Sequence, residues 1–307
     1  MSKTSTVPKV KQKLDKKDLT ISILFLLPAI LICVVFIIYP VFDTFSLSFC
    51  KWNGMFGAVK EWVGMENYYK IVTDKMFWNA MLNSFYFMIG GFVILMPLAF
   101  GLALLVTSKI KGTSFFRTCY FLPCMLGTTA VALMRTFMLN PNFGVFHAIE
   151  NLLGIDMAIP DVLTVKTLNV WIVILVNEWM YAGYNMLIFA AGLVAIPEDL
   201  NEAAALDGAT GWQRIRYITL PLMKNSFKVF SILCITGCLK VFDIIWAMTR
   251  GGPNDISSTP SIMLYSQGFS YKLFGRSSAY GVILLVLGIV LSLVTNRIFR
   301  EDKDLAM

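Results

Sequence analysis

A chain of 307 residues that is 57% hydrophobic and only 15% charged is not a soluble globular domain, where about a quarter of residues carry charge; it is a multi-pass membrane protein. Its net charge of +7 calls for no nucleic acid, since lysines and arginines flanking membrane spans produce the same balance. A lone histidine (His147) and six scattered cysteines with no Cys-x-x-Cys pair leave no metal or redox site.

From the amino terminus, Met1–Leu19 holds six lysines against Asp15 and Asp18. Ile21–Phe42 is then long enough to cross a bilayer and is followed by no small-residue cleavage site, so it is expected as a retained helix behind a basic tail. Apolar runs at Met81–Val106, Cys119–Leu139, Leu168–Ala195, Phe230–Met248 and Tyr280–Asn296 complete six expected spans. The expected fold is therefore an all-α polytopic bundle. It divides into a tail over 1–20, a first helix and outer loop over 21–78, a five-helix core over 79–300 and a tail over 301–307. The third span contains Pro123 and Arg135, the fourth is interrupted by "NEWMYAGYN" and the fifth by "CLKVFD". These three are expected to face the bundle interior.

Orientation follows from charge. With the amino terminus inside, inner segments hold 16 Lys and Arg residues and outer segments 8, which places both termini in the cytoplasm. The polar segment 197–223 is then also cytoplasmic. Pro197, Glu198 and Asp199 suit a helix start, Ala203–Ala205 a thin helical face, and Asp207-Gly208 a helix stop with glycine in the left-handed conformation. Trp212–Thr219 restarts, and Pro221 stops or kinks the second helix. Such a segment is either an interfacial amphipathic helix or an elbow presenting Glu202 from an alanine surface.

In the fourth span Asn177, Tyr181, Tyr184 and Asn185 recur at 0, 4, 7 and 8 and share a face. Amides offer donors and acceptors to hydroxyls, and tyrosine rings offer flat apolar faces to a pyranose, so this face suits a neutral sugar; it equally suits helix–helix packing through polar side chains. Lys240 and Asp243 stand three apart, as if on one helix face, and can pair there. Glu178 and Arg135 are either bundle-internal partners or gate elements.

Glu202-Ala203-Ala204, Asp207-Gly208-Ala209, Ile218 and Leu220-Pro221 resemble the EAA loop of permease subunits of binding-protein-dependent ABC importers. The first span, with Pro28, Tyr39-Pro40 and Ser48-Phe49, is similar to that of the permease-1 type of maltose and multiple-sugar importers. "FFRTCYFLPC" and "TRGGP" resemble that family's third-span opening and its turn after the fifth span. The resemblance implies a type I ABC importer bundle in which Glu202, Ala203, Ala204, Asp207, Gly208, Ile218 and Pro221 couple to an ATPase. The chain itself lacks a G-x-x-x-x-G-K-[ST] phosphate loop. No cofactor is therefore expected here, ATP being bound by a partner subunit. It further implies a second related permease, two ATPase subunits, an extracytoplasmic sugar-binding protein and a bacterial cell membrane. Asn177 and Tyr184 match sugar-contacting positions in residue type, and Tyr181 occupies one with a larger side chain. Cys234, Cys238 and Val241 stand where the maltose type has small polar and amide residues, so another oligosaccharide or a glycoside is expected. An ion-coupled secondary transporter, relaying protons through Lys240, Asp243 and Glu178, is the competing class.

Overall fold

The structure is a computed structural model and describes residues 16–108, 110–140, 144–145, 147–148, 152 and 166–299. The tail expected over 301–307, and the tail expected over 1–20 up to residue 15, lie outside the described residues. Two compact units divide the chain, Met1–Ser46 and Leu47–Met307. In the first, α1 (Lys16–Cys33) passes through a π-helical turn (Val34–Ile38) into α2 (Tyr39–Leu47), its apolar side chains exposed from Ile23 to Phe45, as a lipid-facing helix requires.

The larger unit begins with a pair of two-residue strands, β1 (Cys50–Lys51) and β2 (Glu61–Trp62), the only strands among the described residues. There follow α3 (Glu66–Val72), then α4 (Lys75–Gly90) and α5 (Met96–Thr107) joined by a π-helical turn, Gly91–Leu95. Next come α6 (Thr113–Met125), α7 (Thr128–Met138) and the 29-residue α8 (Lys166–Val194). The segment after α8 folds as α9 (Glu198–Leu206), α10 (Gly211–Arg214), a π-turn (Ile215–Thr219) and α11 (Leu220–Leu222). Finally α12 (Lys224–Lys240), α13 (Asp243–Met248) and α14 (Pro260–Tyr265) lead to α15 (Phe274–Ile298). Among the described residues four helical stretches are long and apolar enough to cross a membrane, and the number reaches the expected six where each of two sharply bent pairs, Thr113–Met125 with Thr128–Met138 and Gly211–Leu222 with Lys224–Lys240, counts as one crossing.

Three π-turns share one cause. Val34–Ile38, Gly91–Leu95 and Ile215–Thr219 each end two residues before a proline, Pro40, Pro97 and Pro221. A proline inside a helix has no amide hydrogen and its ring strikes the carbonyl four residues back; widening the preceding turn moves that carbonyl aside and the helix continues. Pro221 accordingly does not stop its helix. The chain turns only after it, bending by 67° into α12.

Two expected spans are broken. The third is α6 and α7, bent by 91°, where Leu126 and Gly127 turn extended. The fifth ends as a helix at Lys240 and restarts at Asp243. That second break is sealed by side chains: Thr259 Oγ1 donates to the Val241 carbonyl (2.7 Å) and Ser261 Oγ to that of Leu239 (3.1 Å). In lipid a freed carbonyl finds no water, so a break persists only where protein groups satisfy it.

The core lies among α4, α5, α8 and α12, with Phe87, Ile174, Met186, Phe189 and Phe230 fully buried. Because lipid is as apolar as leucine, close contact rather than expulsion from water drives this packing. The tightest crossing is at Gly183 of α8. A Cβ there would collide with the Tyr120 carbonyl and come 2.8 Å from the Phe121 Cα on α6, so only glycine lets the two backbones touch.

Candidate functional site

Helix α8 carries the site at its middle. At 1.5 Å per residue, Asn177 and Asn185 lie roughly 16 and 28 Å along a helix of about 43 Å, one on each side of its midpoint. Asn177, Tyr181, Tyr184 and Asn185 all face one cavity of about 320 Å³. Both tyrosines are exposed to it, whereas the Asn185 amide is spent on the Tyr181 carbonyl at 3.0 Å. Opposite stand Cys234, Cys238 and Val241, so the positions that depart from the maltose pattern are cavity wall.

The cavity exists because helices break around it. Thr128, first residue of α7, enters beside the third-span bend, and Phe242 enters at the fifth-span break. Neither is visible in helical periodicity, since both occupy ends that the apolar run conceals. Leu95 joins them from the π-turn preceding Pro97.

Three charged groups line the same space: Glu178, Lys240 and Asp243. Glu178 is 2% exposed; its Oε1 lies 3.5 Å from the Asn177 amide nitrogen, and among the described residues its buried Oε2 has no hydrogen-bond partner. Lys240 and Asp243 end one helix and begin another rather than sharing a helix face, and among the described residues no ion pair joins them. Their expected pairing gives way because the break at Val241–Phe242 destroys the three-residue spacing on which it depended. Arg135 is not in the cavity. Its guanidinium lies 4.3 Å from the ring centroid of Trp179, on the outside of α8, a cation–π contact that shelters a charge inside a span. Among the described residues no group of His, Cys, Asp and Glu is placed to hold a metal.

At the far end of α8 the chain builds the elbow. Glu198 and Asp199 occupy the first turn of α9, with Pro197 just ahead of it. Ala209 N–H bonds the Ala204 carbonyl (2.9 Å) and Gly208 N–H that of Ala205 (3.1 Å), closing the helix with Gly208 at φ +77. Thr210 restarts the chain with a reciprocal cap: its backbone N–H donates to Gln213 Oε1 (2.7 Å) while its Oγ1 accepts from the Gln213 N–H. Glu202, Ala203, Asp207, Gly208 and Pro221 are exposed, Ile218 half-buried and Ala204 buried against the bundle. Leu206, Trp212 and Tyr217 of the same segment are exposed at 90%, 68% and 70%. Large apolar side chains left bare on one polar segment mark a surface made to be covered.

The profile of binding-protein-dependent transport system inner membrane components matches residues 96–301, a stretch that includes the elbow and all of the cavity lining but Leu95. The chain belongs to that family. Among relatives of this permease, a probable ABC transporter permease of Pyrococcus horikoshii is 32% identical, over 90% of this chain and 94% of its own. The trehalose/maltose transport system permease of Thermococcus litoralis is 30% identical over 95% and 98%. The multiple sugar-binding transport system permease of Streptococcus mutans is 31% identical over 87% and 91%. A solved bacterial alginate ABC transporter chain superposes with a TM-score of 0.80 at 23% identity, over 93% of this permease and 95% of that chain, which shows the fold. The permease is thus a membrane-embedded transport subunit of an ABC transporter and not an enzyme, and the ion-coupled reading of Glu178, Lys240 and Asp243 falls away.

Proposed function

We propose that this permease carries a neutral oligosaccharide or glycoside across a bacterial cell membrane through the α8 cavity. The observation that bears most on the reading is the convergence of Asn177, Tyr181 and Tyr184 on one mid-helix cavity. The Asn177 amide serves a sugar hydroxyl, and the two tyrosine rings offer flat apolar surfaces. Two carboxylates against one ammonium make the cavity unsuited to an anion. The sugar-transport names of the Thermococcus and Streptococcus relatives support the same reading.

The elbow serves the energy. Glu202 and its apolar surround dock on an ATPase subunit, which binds the ATP; two such subunits, a second related permease and an extracytoplasmic sugar-binding protein complete the machine. Both termini and the elbow then face the cytoplasm, in line with the excess of positive charge in those segments. The test is sugar-dependent ATP hydrolysis and uptake by the reconstituted complex over a panel of neutral and acidic oligosaccharides. Tyr184→Ala is expected to alter the rank order among neutral sugars. Equal loss for every sugar, together with a less stable complex, would return the face to a packing role.

A further inference from the structure

We propose that a second carbohydrate site lies at the end of the bundle opposite the elbow, in a cavity of about 300 Å³ between α4, the start of α8 and the loop after α13. It takes a glycosyl unit of the same neutral sugar. The inference rests on the carbohydrate reading of the central cavity, and its position outside the cytoplasm follows from that reading.

The wall repeats the chemistry of the central face. Asn79, Asn83 and Tyr86 stand at 0, 4 and 7 on α4, the spacing that joins Asn177, Tyr181 and Tyr184 on α8. Trp171 packs against Tyr86 in the cavity wall, ring centroids 5.9 Å apart and planes inclined at 36°. Among the described residues the Tyr86 hydroxyl, the Trp171 indole N–H and the amides of Asn79 and Asn254 have no hydrogen-bond partner, although all four residues line the cavity. Two half-buried rings beside two idle amides make a surface for a ligand that is flat, apolar on its faces and rich in hydroxyls.

The wall is also braced. Asn83 Nδ2 donates to the carbonyls of Ile256 (2.7 Å) and Ser258 (2.8 Å), and Asn169 Nδ2 to that of Gly252 (3.1 Å). Asn254 and Asp255 are held at positive φ, 50° and 57°, which Asn and Asp tolerate better than other side chains. Ser258 Oγ occupies Asp255 Oδ1 at 3.0 Å and leaves Oδ2 for a ligand hydroxyl. Trp171 lies six residues before Asn177, roughly 9 Å along one helix.

The test uses the full complex in lipid nanodiscs, with Asn79→Cys or Thr128→Cys in a chain otherwise free of cysteine, Thr128 reporting the central cavity. Alkylation by a maleimide is timed with and without trehalose, maltose and maltotriose. A sugar that drives ATP hydrolysis is expected to slow both cysteines several-fold. With Asn79→Cys, Trp171→Ala should abolish that protection and Trp171→Phe should keep it. Protection of Thr128→Cys alone overturns the second site and leaves the central reading standing; protection of neither overturns both. Protection of Asn79→Cys by a sugar-loaded binding protein but not by free sugar also overturns the inference, because the occupant is then a protein surface.

Discussion

At the scale of single residues, the site separates binding groups from groups that only allow the helices to meet. Tyr184 presents ring and hydroxyl to the cavity, so Tyr184→Phe removes one neutral hydrogen bond, about 0.5–1.5 kcal/mol, and should raise the half-saturating sugar concentration about two- to tenfold in sugar-stimulated ATP hydrolysis. Tyr184→Ala, losing the ring as well, should do more harm than Phe. Gly183, its neighbour, is different in kind: Gly183→Val drives a side chain into the Tyr120 backbone, and the expected outcome is loss of assembled complex on size-exclusion chromatography, whatever the sugar. Periodicity brought Asn177, Tyr181, Tyr184 and Asn185 to one face because that face belongs to a single unbroken helix. Gly183 and Thr128 were not legible, since their meaning lies in contacts with other helices that no local pattern records.

Elements were legible where the chain obeys its local signals and illegible where distant groups decide. The elbow reads directly from Glu198 and Asp207-Gly208, and the Thr210–Gln213 cap that the structure adds is equally local chemistry. Gly208 sits at φ +77 with open space around it. Gly208→Val thus fails through backbone strain and not through a clash. Gly208→Val and Glu202→Lys are both expected to insert normally and to hydrolyse ATP without import, measured as the ratio of uptake to hydrolysis. The break after Lys240 could not be foreseen, because what sustains it is Thr259 and Ser261, some twenty residues later. Thr259→Val strands the Val241 carbonyl in a dry interior, a cost of about 1–3 kcal/mol. A lower unfolding temperature of the detergent-solubilised complex would show it, with Thr259→Ser retaining most of the wild-type value.

For the whole molecule, the crossings were legible from apolar length, whereas their shape depends on prolines whose effect is felt upstream of them. Cysteine introduced at Thr210, on the elbow, should stay unlabelled by an impermeant thiol reagent in intact cells, and cysteine at the fully exposed Phe56 should react; the reverse pattern would invert the orientation. The three π-turns set before Pro40, Pro97 and Pro221 have a further consequence, for tolerance of insertions and deletions. Each widened turn stores one residue more than its length of helix needs, a unit of slack in the thread of the chain. Removing Val93 together with Pro97→Ala should return the second crossing to ordinary pitch with its ends in register, and the protein should still assemble. Removing one residue between Asn177 and Tyr184, where α8 has no such slack, rotates everything beyond it by about 100° and should leave a chain that inserts but carries nothing.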